Sequence, residues 1–179
     1  MRSSVTLLVV GLLALMLQGA LARMLPPPWC PDLAWLVVVA LGLRWPGFIS
    51  GLVLVGLLGF ATDLVSGSLM GQHALMRVLT YLAAALAARQ LDLSGAFSVT
   101  VLVFVLMLGY GLAIVATLSF FVGSAGIGLH VLGEAFVHAL VNALVATPAL
   151  VGVERLIARL SDDELGRRGL PLGLQRGSV

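Results

Sequence analysis

The chain reads as long apolar stretches broken at short polar joints. Apolar runs extend near Val5–Leu21, Leu33–Leu43, Gly47–Val65, Ala74–Ala88, Phe97–Val122 and Leu129–Val151. A bilayer core about 30 Å thick takes roughly 20 apolar residues as helix, so the pattern predicts six spans. Clusters of Gly, Pro, Ser and charge mark the joints: PPPWCPD at 26–32, RWPG at 44–47, SGSLMGQ at 66–72, RQLDLSG at 89–95 and GSAGIG at 123–128. The second run is short, with eleven residues before Arg44. It predicts a thin or tilted helix with Trp35 and Trp45 near the interfaces, or a re-entrant hairpin with the third run. No repeat of fixed period and no low-complexity segment is present.

Composition agrees with this pattern. Of 179 residues, 60% are hydrophobic and 10% charged, with a mean hydropathy of +1.13, whereas a soluble domain has roughly a quarter of its residues charged. The expected fold class is an all-α integral membrane protein with six transmembrane helices, the second short. The length allows one domain: a six-helix transmembrane domain over 1–152 and a cytoplasmic tail over 153–179, partly disordered. All ten basic residues are arginines and the formal charge is +2, which gives no reason to expect a nucleic-acid partner. The lone Cys30 excludes an intramolecular disulfide and a cysteine metal cluster.

Arginine placement predicts orientation, because basic loops resist translocation. With six spans and both termini in the cytoplasm, the inner segments hold Arg2, Arg44, Arg89, Arg155, Arg159, Arg167, Arg168 and Arg176, and the outer segments hold Arg23 alone. The same N-terminus also imitates a signal peptide, with a small-x-small site at Ala20–Ala22. Parity favours keeping that segment as the first helix.

Two charges interrupt the apolar runs. Asp63 lies about one turn before the third span ends, and Arg77 about one turn into the fourth. A tight connection brings both to similar depth, so they are expected to meet as an ion pair, since an intramembrane charge seeks a partner inside the bundle. The sixth span adds His130, Glu134, His138 and Asn142 at steps of four, which drift about 40° per step and share one face. Asp63, Arg77, Glu134, His138 and Asn142 together predict a polar cavity between helices three, four and six, or a structural hydrogen-bond network.

Sharper chemistry finds little support. A zinc protease helix needs H-E-x-x-H, and the order here is His, Glu, His at steps of four, so no metal site is expected. Ser66, Ser68 and Ser124 stand in joints without a nucleophile-elbow pattern. No cofactor is expected. Gly47 and Gly51, with Gly56 and Gly59 further along the third span, predict close helix packing, as does the Gly109–Ala113 step. The tail continues the last helix, with Leu156, Ile157 and Leu160 against the interface and Arg155 and Arg159 toward headgroups. Its expected role is topological anchoring, with docking of a cytoplasmic protein as the alternative.

The stretch from PDLAWLVVVALGLRWPGFISG through GFATDLVSGSLMGQHALMR and on to Asp92 resembles the MreD family of rod shape-determining membrane proteins. The pattern is a glycine-rich third span ending in Gly-x-x-x-Asp, a Gly-containing outer turn, and Gly-x-x-Ala-Leu at the start of the next span. Here these are Gly59, Asp63, Gly67, Gly71, Ala74 and Leu75. The resemblance covers about 31–92, and the Glu134/His138 face matches no motif of that family.

The resemblance implies a non-enzymatic scaffold of the cell-wall elongation machinery in the cytoplasmic membrane. It implies binding to a coiled-coil MreC-like protein, work alongside the synthase RodA and its transpeptidase, and an indirect link to cytoskeletal MreB, all within the lipid bilayer. The family is also similar in fold to the substrate-capturing subunits of energy-coupling-factor transporters. A vitamin- or metal-capturing transport subunit is therefore the alternative. Such a subunit is expected to carry an Ala-x-x-x-Ala surface on its first helix, and LLVVGLLALMLQGALA has none. Ala84 and Ala88 fit that spacing on the fourth span instead.

Overall fold

The computed structural model describes residues 2–67, 69–93, 95–123 and 129–168. It is an all-α membrane protein of six helices: α1 (Arg2–Leu21), α2 (Leu33–Arg44), α3 (Phe48–Ser66), α4 (Gln72–Gln90), α5 (Ala96–Val122) and α6 (Leu129–Arg168). These follow the six apolar runs. Within α1, α3, α5 and α6 are stretches long and apolar enough to cross a membrane. α2 is shorter, and α4 carries Arg77 in its interior and Arg89 in its last turn. The end bearing the 22–32 segment and the 67–71 turn is called the outer end below.

α2 is the centre of the bundle. Its sequence is apolar all round, which suits a helix enclosed on every side, and Ala34 through Leu41 are buried without interruption. It packs on α1, α4 and α6, and more lightly on α3. Two constant offsets describe its setting. Asp32 meets Arg77 and Trp35 meets Thr80, each 45 residues apart. Pro28 meets His138, Asp32 meets Asn142 and Arg44 meets Glu154, each 110 apart. α2 therefore lies parallel to α4 and α6 and in step with both.

Twelve residues of helix reach about 18 Å, against a core of about 30 Å. The Arg44 end stands beside Glu154, so the Asp32 end lies well below the outer end of α6. Residues 22–32 fill the space above it. Cys30 and Asp32 in this segment are buried, while Met24 and Trp29 are exposed.

α6 runs unbroken past the expected domain boundary at 152–153, with Pro148 inside it. The expected disorder at the chain's end falls outside the described residues.

Glycines set the closest helix approaches. At Gly59 a Cβ would collide with the Ala74 backbone, so α3 and α4 touch there main chain to main chain. Gly51 faces the Tyr81 ring, and at Gly42, which the sequence reading passed over, a Cβ would stand 2.7 Å from the Ala84 Cβ and 2.9 Å from the Tyr81 carbonyl oxygen. Two of the four predicted packing glycines act otherwise. Gly47 caps α3 beside Trp45 and Ser50, and Gly56 meets open space. Gly109 likewise has nothing within 4 Å.

Gly59→Ala should therefore destabilise the protein by about 1–3 kcal/mol through overpacking against backbone, despite the better helix propensity of alanine. Gly56→Ala should be neutral or gain up to about 1 kcal/mol. Thermal unfolding in mild detergent compares the two, and equal shifts would contradict the close approach at Gly59.

Candidate functional site

The polar side chains of the interior gather where α2 begins. Asp32 is the N-cap of α2: its Oδ1 accepts from the Trp35 backbone N–H at 2.7 Å. A carboxylate suits this position because the first turn of a helix presents unpaired N–H groups and the positive end of the helix dipole. The same carboxylate receives Arg77 from α4, with Nη2 at 3.3 Å from Oδ1 and 3.4 Å from Oδ2. Arg77 is fully enclosed, and its Nη1 also reaches the Leu58 carbonyl of α3 at 3.5 Å.

α6 answers the backbone of the same segment. The Asp32 N–H donates to Asn142 Oδ1 at 2.9 Å, which fixes the amide orientation, and Asn142 Nδ2 donates to the His138 carbonyl at 2.8 Å. His138 Nδ1 stands 3.1 Å from the Pro28 carbonyl. A carbonyl only accepts, so the proton is on Nδ1 and Nε2 is left to face Asn142 Nδ2 at 3.3 Å. Non-helical backbone at membrane depth persists only where protein satisfies it. His138 and Asn142 do so here.

A second polar joint lies between α3 and α4. The first turn of α4 follows Gly71, which has a φ of +87° and no side chain to cap with. Asp63 reaches across from α3 instead. Its carboxylate accepts from the backbone N–H groups of Gly71 at 3.0 Å, His73 at 2.8 Å and Ala74 at 3.2 Å, and His73 Nδ1 lies 3.0 Å away. One buried carboxylate thus serves several of the N–H groups that a helix start leaves unpaired.

The expected Asp63–Arg77 ion pair does not form among the described residues. Similar depth is not enough, because Asp63 is held by the start of α4 and Arg77 turns to Asp32 of α2. Nor does the polar face of α6 act as one. His130 and Glu134 are exposed, while His138 and Asn142 enter the cluster. A 40° drift per step accumulates to about 120° over three steps, which parts the two ends. The expected cavity between helices three, four and six is occupied by α2, whose Trp35, Val38 and Val39 are fully buried.

Sequence reasoning missed Asp32, Thr80, Gln72 and Tyr110. The Trp35 indole N–H donates to Thr80 Oγ1 at 3.3 Å, and the Trp35 and Tyr110 rings lie 6.0 Å apart. Gln72 Nε2 donates to the Ile114 carbonyl of α5 at 3.2 Å. Among the described residues, the buried side-chain atoms Gln72 Oε1, Arg77 Nε and Tyr110 Oη lack a hydrogen-bond partner of good geometry. Among the described residues no three of His, Cys, Asp and Glu gather as metal ligands would. The geometry of the cluster ties α2, α4 and α6 together at one height. No protein-family model, curated protein or solved structure matches this chain.

The assignment of partners is testable by two double-mutant cycles. Asp32→Asn and Arg77→Gln should each cost about 3–5 kcal/mol by stranding a buried charge, and together cost clearly less than their sum. Asp63→Asn with Arg77→Gln should be close to additive. Unfolding in detergent reads both, and strong coupling in the second cycle alone would reverse the pairing.

Proposed function

We propose that this protein is a non-enzymatic scaffold of the cell-wall elongation machinery, an MreD-like protein that holds a coiled-coil MreC-like partner in the cytoplasmic membrane. RodA, its transpeptidase and, indirectly, MreB are the proposed neighbours. The observation that carries this reading is the α3–α4 joint. Five of the six positions that bear the resemblance have a physical task in that joint. Gly59 permits backbone contact with Ala74, Asp63 caps α4, and Gly67 and Gly71 turn the chain with φ of +64° and +87°. Leu75 is exposed on the apolar exterior. A chance match would not be expected to gather its residues into one working joint.

The rival reading, a vitamin- or metal-capturing transport subunit, needs an open polar site. The filling of the bundle centre by α2 supports the scaffold over it. The test is depletion in the host with imaging of cell shape, together with purification of a tagged copy in mild detergent. Rounded cells and a stoichiometric coiled-coil membrane partner are expected. Normal shape with a vitamin, a metal or an ATPase module co-purifying would favour the transport subunit.

The proposal includes an orientation with both termini in the cytoplasm. Cys30 is a poor reporter of it: the thiol is buried, and burial, followed by the nearby Asp32 charge, raises its pKa above the ordinary thiol value. Less thiolate at neutral pH means slower alkylation. In intact spheroplasts a membrane-impermeant maleimide should leave Cys30 largely unreacted. It should label Trp29→Cys in a Cys30→Ser background, and reach Leu170→Cys only after permeabilisation. Labelling of Leu170→Cys in intact spheroplasts would invert the orientation.

A further inference from the structure

We propose that the outer half of the seam between α1 and α3 holds one anionic glycerophospholipid, with an acyl chain in the seam and the phosphate on Arg23. The seam is closed at mid-height and open above. At Gly11 a Cβ would stand 2.6 Å from both Leu58 methyl carbons, so α1 and α3 touch there. Beyond that contact they part around a groove of about 800 Å³. Leu12, Met16 and Gly19 line it from α1, Arg23 from the turn that follows, and Ala61 and Val65 from α3. Positions 12, 16 and 19 recur at steps of three and four, which puts them on one face of α1, and Arg23 follows in the turn just past its end.

The length of the groove selects its occupant. From Leu12 to Arg23 is about 17 Å at helical rise, close to one leaflet of a core about 30 Å thick. A protein helix crossing the whole bilayer would find a seat for only half its length, because the Gly11–Leu58 contact closes the rest. An acyl chain of one leaflet ends where the groove ends.

Charge selects the headgroup. Arg23 is exposed at the mouth, and among the described residues its guanidinium makes no hydrogen bond or ion pair. A guanidinium fork matches two phosphate oxygens. With no carboxylate of the described residues on Arg23, a lipid of net negative charge is preferred over a zwitterionic one.

The experiment is native mass spectrometry of the full chain released from nanodiscs that contain equal phosphatidylglycerol and phosphatidylcholine. One phosphatidylglycerol should be retained per wild-type chain in preference to phosphatidylcholine. Arg23→Gln should lower that retention roughly tenfold, the loss of a charge-assisted contact. Gly19→Leu, at a position where a Cβ would meet nothing within 4 Å in the protein, should fill the groove and displace both lipids while Arg23 remains, with the thermal unfolding of the variant matching the wild type. Leu144→Ala, on the exposed face of α6, should change neither. Equal retention of both lipids by the wild type, no retained lipid, or retention unaffected by Arg23→Gln and Gly19→Leu would each overturn the proposal. So would cross-linking of Met16→Cys to a protein helix in native membranes.

Discussion

The start of α2 below the outer ends of its neighbours is the constraint on which the rest of the bundle depends. In hydrocarbon an unpaired backbone group costs several kcal/mol, so a helix that begins there must be capped from inside the protein. Asp32 supplies that cap, and its charge in turn needs a cation. Arg77 is that cation and can be fully enclosed because Asp32 is present. Asn142 takes the remaining Asp32 N–H. Each of these bonds fixes the height of a different helix against α2, and the Arg44–Glu154 pair holds the register of α6 again at the other end. That last pair is largely exposed and adds little energy of its own.

Once heights are fixed, close packing becomes possible. Gly42 meets Ala84, and Gly59 meets Ala74, only at one relative position of α2, α3 and α4. A slide of one residue would bring a side chain to each of these points. Small-residue contacts are the main source of helix association in lipid, where apolar burial gives no drive. The polar cluster and the glycine contacts are therefore mutually dependent. Asp63 joins the two, since it caps α4 one helical turn beyond the Gly59–Ala74 contact.

The element order was legible in the sequence because breaker clusters and span length are set by the bilayer itself. Which helix lies inside was not legible. Lipid tails are as apolar as a protein core, so the apolar all-round sequences of α2 and α5 read alike, although α2 is enclosed and most of α5 is open. The shortness of α2 pointed to a thin or tilted helix or a re-entrant hairpin, yet a helix without a lipid-facing side does not need full membrane length. Charged positions were found but wrongly paired. The step from Pro31-Asp32 into an apolar run is an N-cap signal, and reading it would have offered Arg77 a second carboxylate to choose. His138 and Asn142 were found by their spacing, which also admitted His130 and Glu134. Periodicity has no term for the accumulated rotation that separates them.

A polar interior whose principal charges answer one another leaves the exterior as the place for partners. Apolar exposure does not mark such a place, because the outward faces of α1 and α5 are apolar throughout and the bilayer already covers them. Shape is the remaining signal. α1 carries it in the wedge above Gly11, where two helices locked together at mid-height part toward the outer end. Nothing within a fluid bilayer would keep that wedge open unless α1 and α3 were held at fixed heights. α3 is held through Asp63 and Gly59, and α1 through its packing on α2 and through Gly11. The proposed scaffold role needs outer surfaces presented at constant geometry, and the bonds around Asp32 and Asp63 provide that rigidity from within.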